Sequence, residues 1–364
     1  MTSRIVHGDC REVLAGYPPD HFDVICTDPP YGLHFMGAGW DHGVPDADHW
    51  REVLRVAKPG AYLTAFGGTR TYHRLTCAIE DAGWEIRDCL MWLYGTGFPK
   101  SFNVGKKVAS HNGYGTALKP SYEPIILARK PLVGTVAQNV QRYGTGGLNI
   151  DGCRVEHASS ADLAASQGKN PGRSDLVQST CYGGGRPQQS VNTQDRWPPN
   201  VLLSHGPNCT ETACGEGCPI AELDGQSGIT KSSGGEPLSG EVNRYSIYGG
   251  RDRQRTGQGV GKGDIGGASR FFSRFHYCSK ASRKERGPDN KHPTVKPIAV
   301  VRWLLSLTAP PVNGIVLDPF AGSGTTGLVA AECGLSFVGV ESKRAYCKIA
   351  QRRLWAQARK EHKR

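Results

Sequence analysis

The sequence contains no apolar run that could cross a membrane. Its 364 residues are 38% hydrophobic and only 8% aromatic, the mean hydropathy is −0.44, and no stretch approaches the roughly 18 apolar residues of a spanning helix. The opening residues, Met1 to His7, also lack the apolar segment and the cleavage site of a secretory signal. These absences predict a globular protein of the cytoplasm, with about two structural units for this length.

The sequence has too few acidic residues to balance its basic ones. There are 33 Asp and Glu against 44 Lys and Arg, which gives a net charge of +11. Residues 251–296 hold 12 basic and four acidic residues, and residues 343–364 hold nine and one. Clustered cations favour a polyanionic partner such as nucleic acid, because neutralised phosphates release their counterions. A solvated surface or a solubilising tail is the alternative for the C-terminal stretch.

Glycine is concentrated in the middle of the chain. Residues 131–285 hold 26 of the 48 glycines, and much of this range has neither helical nor strand periodicity. We therefore interpret 131–285 as a loop-rich insertion between two flanks, 1–130 and 286–364.

Short apolar runs alternate with helical patterns in both flanks. Runs at 23–26, 314–317 and 336–340 are typical of strands, whereas 71–82 and 297–307 have helical spacing. Such alternation predicts an α/β fold with a mostly parallel sheet and helices on both faces. Ligands bind to such sheets at the carboxyl ends of the strands.

The sequence Asp28-Pro29-Pro30-Tyr31 follows the strand at 23–26. Two prolines end a strand and stiffen the backbone, so the Asp28 carboxylate, the Pro29 carbonyl and the Tyr31 ring are held in a fixed relation. The two acceptors suit the two N–H donors of one NH2 group, and the ring suits stacking on a planar heterocycle. A simple turn is the alternative interpretation.

A glycine loop, Asp318 to Gly327, follows the strand at 314–317 and opens a helix. Glycines let a ligand approach the backbone, and the first turn of the helix offers free N–H groups. No Lys follows the last glycine, which excludes a phosphate-binding P-loop. The next strand ends at Glu341, near the position where nucleotide-binding folds place an acid on ribose hydroxyls.

The motif Asp28 to Tyr31 comes first in the chain, the insertion next and the glycine loop last. The motifs and their order resemble those of the beta group of S-adenosylmethionine-dependent DNA amino-methyltransferases. Ile5 to Cys10 and the sequence His292-Pro293-Thr294-Val295-Lys296-Pro297 also resemble segments of that family. The resemblance covers most of the chain and implies a seven-stranded mixed sheet, a Rossmann-like methyltransferase fold in permuted order. Residues 1–130 would form its catalytic half, 131–285 the target-recognition insertion, and 286–364 the cofactor-binding half.

The resemblance also implies roles for individual residues. The target base would be held by Asp28, Pro29, Pro30 and Tyr31. S-adenosyl-L-methionine would be bound by Asp9, Cys10, Thr294, Lys296, Asp318, Phe320, Gly322, Gly324, Thr325 and Glu341. Among these, Asp9 is expected near the adenine, Glu341 on the ribose, and Thr294 and Lys296 toward the methionine end.

The implied reaction is methylation of the exocyclic amine of a base flipped out of double-stranded DNA. An Asp at the head of the first motif favours adenine N6, with cytosine N4 as the alternative. Methylation of cytosine carbon 5 is not expected, because that reaction needs a nucleophilic Cys, typically in a Pro-Cys pair that this sequence lacks. RNA or protein methylation and a non-catalytic DNA-binding role are further alternatives. The resemblance allows a homodimer and a cognate restriction endonuclease as partners.

Four residues of metal-binding types lie close together in the insertion: His205, Cys209, Cys214 and Cys218. Three thiols and an imidazole can complete a tetrahedral zinc site, which would brace an insertion that has little core of its own. The spacing differs from the standard Cys-x2-Cys pair, and reduced cysteines also pack in cores as small apolar residues. Zinc binding and simple packing therefore both remain open from the sequence.

Overall fold

The computed structural model describes most of the chain. The described residues are 2–33, 41–95, 97, 99, 101–157, 195–206, 209–210, 213–231, 265–275, 286, 290–311 and 313–361. The basic stretch 251–296 is therefore described only at 265–275, 286 and 290–296, and the C-terminal basic stretch only as far as residue 361.

One sheet contains most of the strands. Its members are Ser3–His7 (β1), Phe22–Thr27 (β2), Ala57–Phe66 (β3), Glu85–Leu93 (β4), Tyr122–Arg129 (β5), Val201–Ser204 (β6), Ser273–Phe275 (β9), Ile315–Asp318 (β10) and Ser336–Glu341 (β11). Their spatial order is β1-β11-β10-β2-β3-β5-β4-β6-β9. Strand β5 is antiparallel to both neighbours, and the other pairings described in this sheet are parallel. Thr230–Lys231 (β7) and Ile265–Gly266 (β8) form a separate antiparallel pair.

The predicted α/β fold with a mixed sheet is confirmed, but the sheet has nine strands and not seven. The first seven strands in the spatial order come from the two flanks. Strands β6 and β9, from the range interpreted as the insertion, extend the sheet beyond β4. They contain four and three residues, and the four residues of β6 carry too little periodicity to be recognised in a sequence.

Helices cover both faces of the sheet. The described α-helices are Cys10–Ala15 (α1), Ala47–Val56 (α2), Tyr72–Asp81 (α3), Val136–Tyr143 (α4), Pro219–Ser227 (α5), Ile298–Thr308 (α6), Thr325–Glu332 (α7) and Arg344–Glu361 (α8). On β2, Val24 and Cys26 pack in a core with α6, α7 and α8. Between them, Ile25 points to the opposite face and packs in a core with α1, α2 and α3. Within the described residues, no helix combines the length and the apolar character needed to cross a membrane.

The chain divides into two compact units. The first comprises Met1–Cys153, Pro198–Ile220 and Phe272–Arg364, and the second comprises Arg154–Trp197 and Ala221–Phe271. The second unit contains β7 and β8, and in it the Asp224 carboxylate accepts hydrogen bonds from the Ser269 amide and hydroxyl, both at 2.7 Å. The range 131–285, still a prediction as an insertion, contributes residues to both units.

The carboxyl ends of four parallel strands meet at one edge of the sheet. The pairing places His7 beside Glu341, Asp318 beside Gly339, and Leu317 beside Ile25. The loops that follow β1, β2, β10 and β11 therefore leave the sheet next to one another. These loops carry the two motifs and the segment after β1 that the sequence singled out.

Candidate active site

A cavity of about 480 Å³ lies at this edge of the sheet. Its walls contain every residue that the sequence assigned to the target base or the cofactor, except Gly324. These residues are Asp9, Cys10, Asp28, Pro29, Pro30, Tyr31, Thr294, Lys296, Asp318, Phe320, Gly322, Thr325 and Glu341. Motifs on either side of the central range of the chain thus line one space.

Gly324 belongs to the glycine loop but does not line the cavity. It is the N-cap of α7 and has a φ of 78°, a backbone conformation that residues other than glycine rarely adopt. A Cβ at this position would lie 2.9 Å from the Cβ of Ala350 on α8. Gly324 therefore packs closely against α8, and its contact with the cofactor stays a prediction.

The Asp28 carboxylate, immediately after β2, forms an ion pair with Lys296. The ammonium Nζ donates to Asp28 Oδ2 at 2.6 Å, and the side chains of Asp28 and Lys296 are only 22% and 10% exposed. The sequence placed Lys296 toward the methionine end of the cofactor. In the structure its ammonium contacts the carboxylate that was assigned to the target base.

A second carboxylate, Glu123 on β5, joins this pair. The Tyr31 hydroxyl donates to Glu123 Oε2 at 3.1 Å, and Lys296 Nζ lies 3.4 Å from the same oxygen. The ammonium is also 5.2 Å from the Tyr31 ring centroid and 5.0 Å from that of Phe66. Glu123 was not predicted from the sequence, where its only signal is a single charge before the apolar run of β5.

Charge and burial act in opposite directions on Lys296. Burial alone would lower the pKa of its ammonium, but the Asp28 and Glu123 carboxylates outweigh burial and raise the pKa. Burial and the same two carboxylates raise the pKa of Tyr31 well above its usual value. At neutral pH the site therefore holds a charged Lys296 and an uncharged Tyr31.

His292 lies beside the glycine loop. Its ring centroid is 4.4 Å from that of Tyr346. Burial, with a contribution from the Lys296 charge, lowers the pKa of His292 to about 4, although Asp28 acts in the opposite direction. A neutral imidazole therefore packs against this loop at pH 7.

Two acids at strand ends hold the glycine loop in shape. Asp318, the last residue of β10, accepts hydrogen bonds from the hydroxyls of Thr27 at 2.6 Å and Thr326 at 2.7 Å. Burial raises the pKa of Asp318 to about 6, and these donors limit the increase. Glu341, the last residue of β11, accepts from the amides of Gly322 at 2.9 Å and Lys343 at 2.7 Å. Both carboxylates therefore bind the protein's own donors, and Glu341 keeps lone pairs for a further donor.

Asp9 and Cys10 lie where β1 gives way to α1. Asp9 is the N-cap of α1, and its Oδ1 accepts from the Arg11 amide at 2.9 Å. Burial alone would raise the pKa of Asp9. The hydrogen bonds and the charge of Arg11 together outweigh burial and lower the pKa of Asp9. Burial raises the pKa of Cys10 to about 12. Asp9 is thus a charged acceptor on the cavity wall, whereas Cys10 is an inert thiol.

The four residues predicted to bind a metal are also brought together, away from the cavity. One ligand atom from each of His205, Cys209, Cys214 and Cys218 lies within 4.8 Å of the others. They belong to the first unit and follow β6. This group is therefore a candidate metal centre separate from the candidate active site.

A sequence model of a family described as DNA methylase matches residues 22–352 of this chain. Among curated proteins, the Type II methyltransferase M2.LlaDCHI of Lactococcus lactis subsp. cremoris is 45% identical over 76 residues, 21% of this chain and 27% of that protein. The Type II methyltransferase M2.DpnII of Streptococcus pneumoniae is 43% identical over 67 residues, 18% of this chain and 25% of that protein. The chain thus spans about a quarter of the length of these relatives.

Two solved structures align with nearly the whole chain at low similarity. A complex of M1.HpyAVI with SAM has 17% identity and a TM-score of 0.42, covering 97% of this chain and 100% of that chain. The cytosine-N4-specific PvuII DNA methyltransferase has 14% identity and a TM-score of 0.46, covering 96% and 86%. Similarity at this level assigns no activity.

Proposed function

The chain belongs to the N6/N4 DNA methylase family, and from that premise we propose that it transfers the methyl group of S-adenosyl-L-methionine to an exocyclic amine of a flipped DNA base. Adenine N6 is the preferred target, with cytosine N4 as the alternative. The observation that carries the proposal is the meeting of Asp28, Tyr31 and the glycine loop in one cavity. Neither motif alone would combine a base-binding wall with a cofactor-binding wall.

The amine of adenine or cytosine is a poor nucleophile because its lone pair is delocalised into the ring. If the Asp28 carboxylate and the Pro29 carbonyl accept hydrogen bonds from its two N–H groups, the nitrogen can become pyramidal and expose the lone pair. The nitrogen would take the methyl group from the sulfonium, S-adenosylhomocysteine would leave, and the methylated amine would lose one proton to solvent. The rate enhancement then comes from orientation and preorganised acceptors, without a covalent intermediate on the protein. The Tyr31 ring would stack on the flipped base, and its hydrogen bond to Glu123 supports that orientation.

The cavity also fits the proposed cofactor. Gly322 has a φ of 52°, and a Cβ there would lie 3.0 Å from His292 Nε2, so glycine keeps the loop open to a ligand. Asp9 and Glu341 provide carboxylate acceptors at two neighbouring strand ends, which suits the amine and hydroxyl donors of an adenosyl group. Bound there, the cofactor would supply an electrophilic methyl group.

Double-stranded DNA is the proposed partner. Helix α8 exposes Arg344, Lys348, Arg352 and Arg359, and the first three, spaced by four residues, share one face. The start of the helix lies next to the cavity, which Lys343 and Tyr346 line, so this cationic face begins on the proposed cofactor side, beside Glu341. A homodimer and a cognate restriction endonuclease complete the proposal, and light scattering on the purified protein would test the first of them.

Methyl transfer to DNA by an Asp28→Ala variant tests this proposal. We expect the variant to bind S-adenosyl-L-methionine with nearly wild-type affinity, since Asp28 is assigned to the base, and to lose methyl transfer. Asp81→Ala, which removes an exposed carboxylate at the end of α3, is the matched control and should keep full activity. Turnover of Asp28→Ala at the control rate would refute the assigned role.

A further inference from the structure

The geometry points to a structural zinc site formed by His205 Nδ1 and the thiolates of Cys209, Cys214 and Cys218. These four residues take no part in the proposed methyl transfer, and the inference does not depend on that function. The ligand set is one nitrogen and three sulfurs, which is a standard composition for a closed, four-coordinate zinc site.

The distances between the ligand atoms fit a tetrahedral ion. Sulfur and nitrogen ligands at about 2.3 and 2.0 Å from a tetrahedral zinc lie roughly 3.6 Å from each other. The sulfurs of Cys214 and Cys218 lie 3.4 and 3.7 Å from His205 Nδ1. All four ligand atoms lie within 4.8 Å of one another, so a small contraction would complete the coordination sphere.

Backbone amides around the cluster donate to two of the sulfurs. The Gly206 amide lies 3.5 Å from Cys218 Sγ, and the Gly215 amide lies 3.3 Å from Cys209 Sγ. Such donors stabilise the negative charge of metal-bound thiolates and orient them. The amide of His205 itself donates to the Phe275 carbonyl at 2.9 Å, which ties the first ligand to the end of β9.

Packing in an apolar core does not explain this cluster. Cys214 is exposed and Cys209 is half-buried, so only Cys218 of the three thiols lies in the interior. None of the three forms a disulfide, and a single disulfide would use only two of the thiols of the cluster. Zinc would bind all four groups, with the displaced thiol protons released to solvent. Soft thiolates also favour zinc over magnesium or calcium.

The site would brace the extension of the sheet. The loop that contains the ligands connects β6 to α5, and the Trp92 indole on β4 donates to Ser204 Oγ at 2.8 Å at the end of β6. Pro219 follows the last ligand and packs closely against Gly95, because a Cβ added to Gly95 would lie 2.7 Å from Pro219 Cγ. Zinc would thus connect β6 and β9 to the segment that follows β4.

Metal analysis of the full-length protein, expressed in zinc-supplemented medium and purified without chelator, tests the inference. We expect about one zinc per chain in the wild type, and loss of most of it in Cys214→Ser. Cys77→Ser removes another exposed thiol, on α3, and should retain the metal. His205→Cys should retain zinc as well, because four thiolates also form a tetrahedral site.

Cobalt substitution gives a second readout that needs no variant. The wild-type protein reconstituted with Co²⁺ should show the intense visible bands of tetrahedral cobalt and a thiolate charge-transfer band in the near ultraviolet. Less than about a tenth of an equivalent of zinc in folded wild-type protein would overturn the inference. Equal zinc contents in Cys214→Ser and Cys77→Ser, or a Co²⁺ spectrum without thiolate bands, would overturn it too.

Discussion

Asp28 and Lys296 line the cavity, and the Lys296 ammonium brings the Asp28 and Glu123 carboxylates together in one charged cluster. Two carboxylates so close would repel each other, and the ammonium between them offsets that repulsion. Low exposure strengthens these interactions relative to those on the surface. We infer that Lys296 is a positioning residue, which fixes Asp28 toward the base and Glu123 toward Tyr31.

Replacing Lys296 with Met should lower the rate of methyl transfer much more than the affinity for the cofactor. Without the ammonium, the Asp28 and Glu123 carboxylates would repel each other, and Asp28 would lose the contact that fixes its orientation. We expect kcat to fall about tenfold or more, corresponding to roughly 1.4 kcal/mol, and Lys296→Arg to restore part of it. Lys291→Met, an exposed change in the same segment, is the control. An unchanged kcat, or a loss confined to cofactor affinity, would contradict the positioning role.

His292 should make stability depend on pH in the acidic range. Its folded pKa of about 4 lies below the unfolded value of about 6.5, so the unfolded state binds this proton first as the pH falls. The neutral imidazole contributes at most ~3 kcal/mol to the free energy of unfolding. This contribution is fully present above pH 6.5 and is lost as the pH falls to about 4. Denaturant unfolding of wild type and His292→Asn across this range measures it.

The difference between these two proteins should shrink as the pH falls from 6.5 to 4. His73→Asn, an exposed change on α3, should run parallel to the wild type. A pH-independent difference between His292→Asn and the wild type would show that burial does not hold the imidazole neutral.

The glycine loop between β10 and α7 depends on backbone shape as well as on side chains. Gly322 has a φ of 52°, where any other residue is strained, and an added Cβ would crowd His292. Its amide also binds Glu341, so a distortion here would reach the acid expected on the ribose. The loop is therefore the element on which the proposed cofactor binding depends most.

Gly322→Ala should weaken binding of S-adenosyl-L-methionine about tenfold, because the left-handed conformation costs about 1–2 kcal/mol with a side chain. Isothermal titration calorimetry with the purified variant measures this. Gly147→Ala, where an added Cβ meets nothing within 4 Å, is the matched control and should bind normally. Unchanged affinity in Gly322→Ala would mean that the cofactor does not depend on this loop.

Helix α8 should contribute to DNA affinity through its cationic face. A Lys348→Glu, Arg352→Glu double variant should weaken DNA binding and flatten its salt dependence by roughly one unit of slope for each lost phosphate contact. Fluorescence anisotropy at several salt concentrations gives both values. Arg74→Glu on α3, on the opposite face of the sheet, serves as the control. An unchanged salt slope would favour the alternative of a solvated surface.

At the scale of the whole molecule, the flanks could be predicted from the sequence because their strands and helices are long enough to show periodicity. Strand β2 with its following Asp28-Pro29-Pro30-Tyr31, and β10 with its glycine loop, are local features that a sequence displays directly. Their convergence follows from a general property of parallel sheets. For this reason all but one of the residues that the sequence assigned to the base and the cofactor lie on the wall of one cavity.

The remaining features depend on contacts between distant parts of the chain. Glu123 reaches the site only because β5 runs antiparallel between β3 and β4, which no local pattern reveals. Lys296 pairs with a residue 268 positions away, a contact that its place in the sequence does not reveal. Strand β6 was missed because its stability comes from pairing with β4 and β9.

The most direct test of the central claim is nucleoside mass spectrometry of DNA incubated with S-adenosyl-L-methionine and the wild-type protein or Asp28→Ala. We predict N6-methyladenine from the wild type and no methylated nucleoside from the variant. A product containing only N4-methylcytosine would reverse the preference for adenine and keep the reaction class. Equal methylation by both proteins, or a product methylated at carbon 5 of cytosine, would contradict the account.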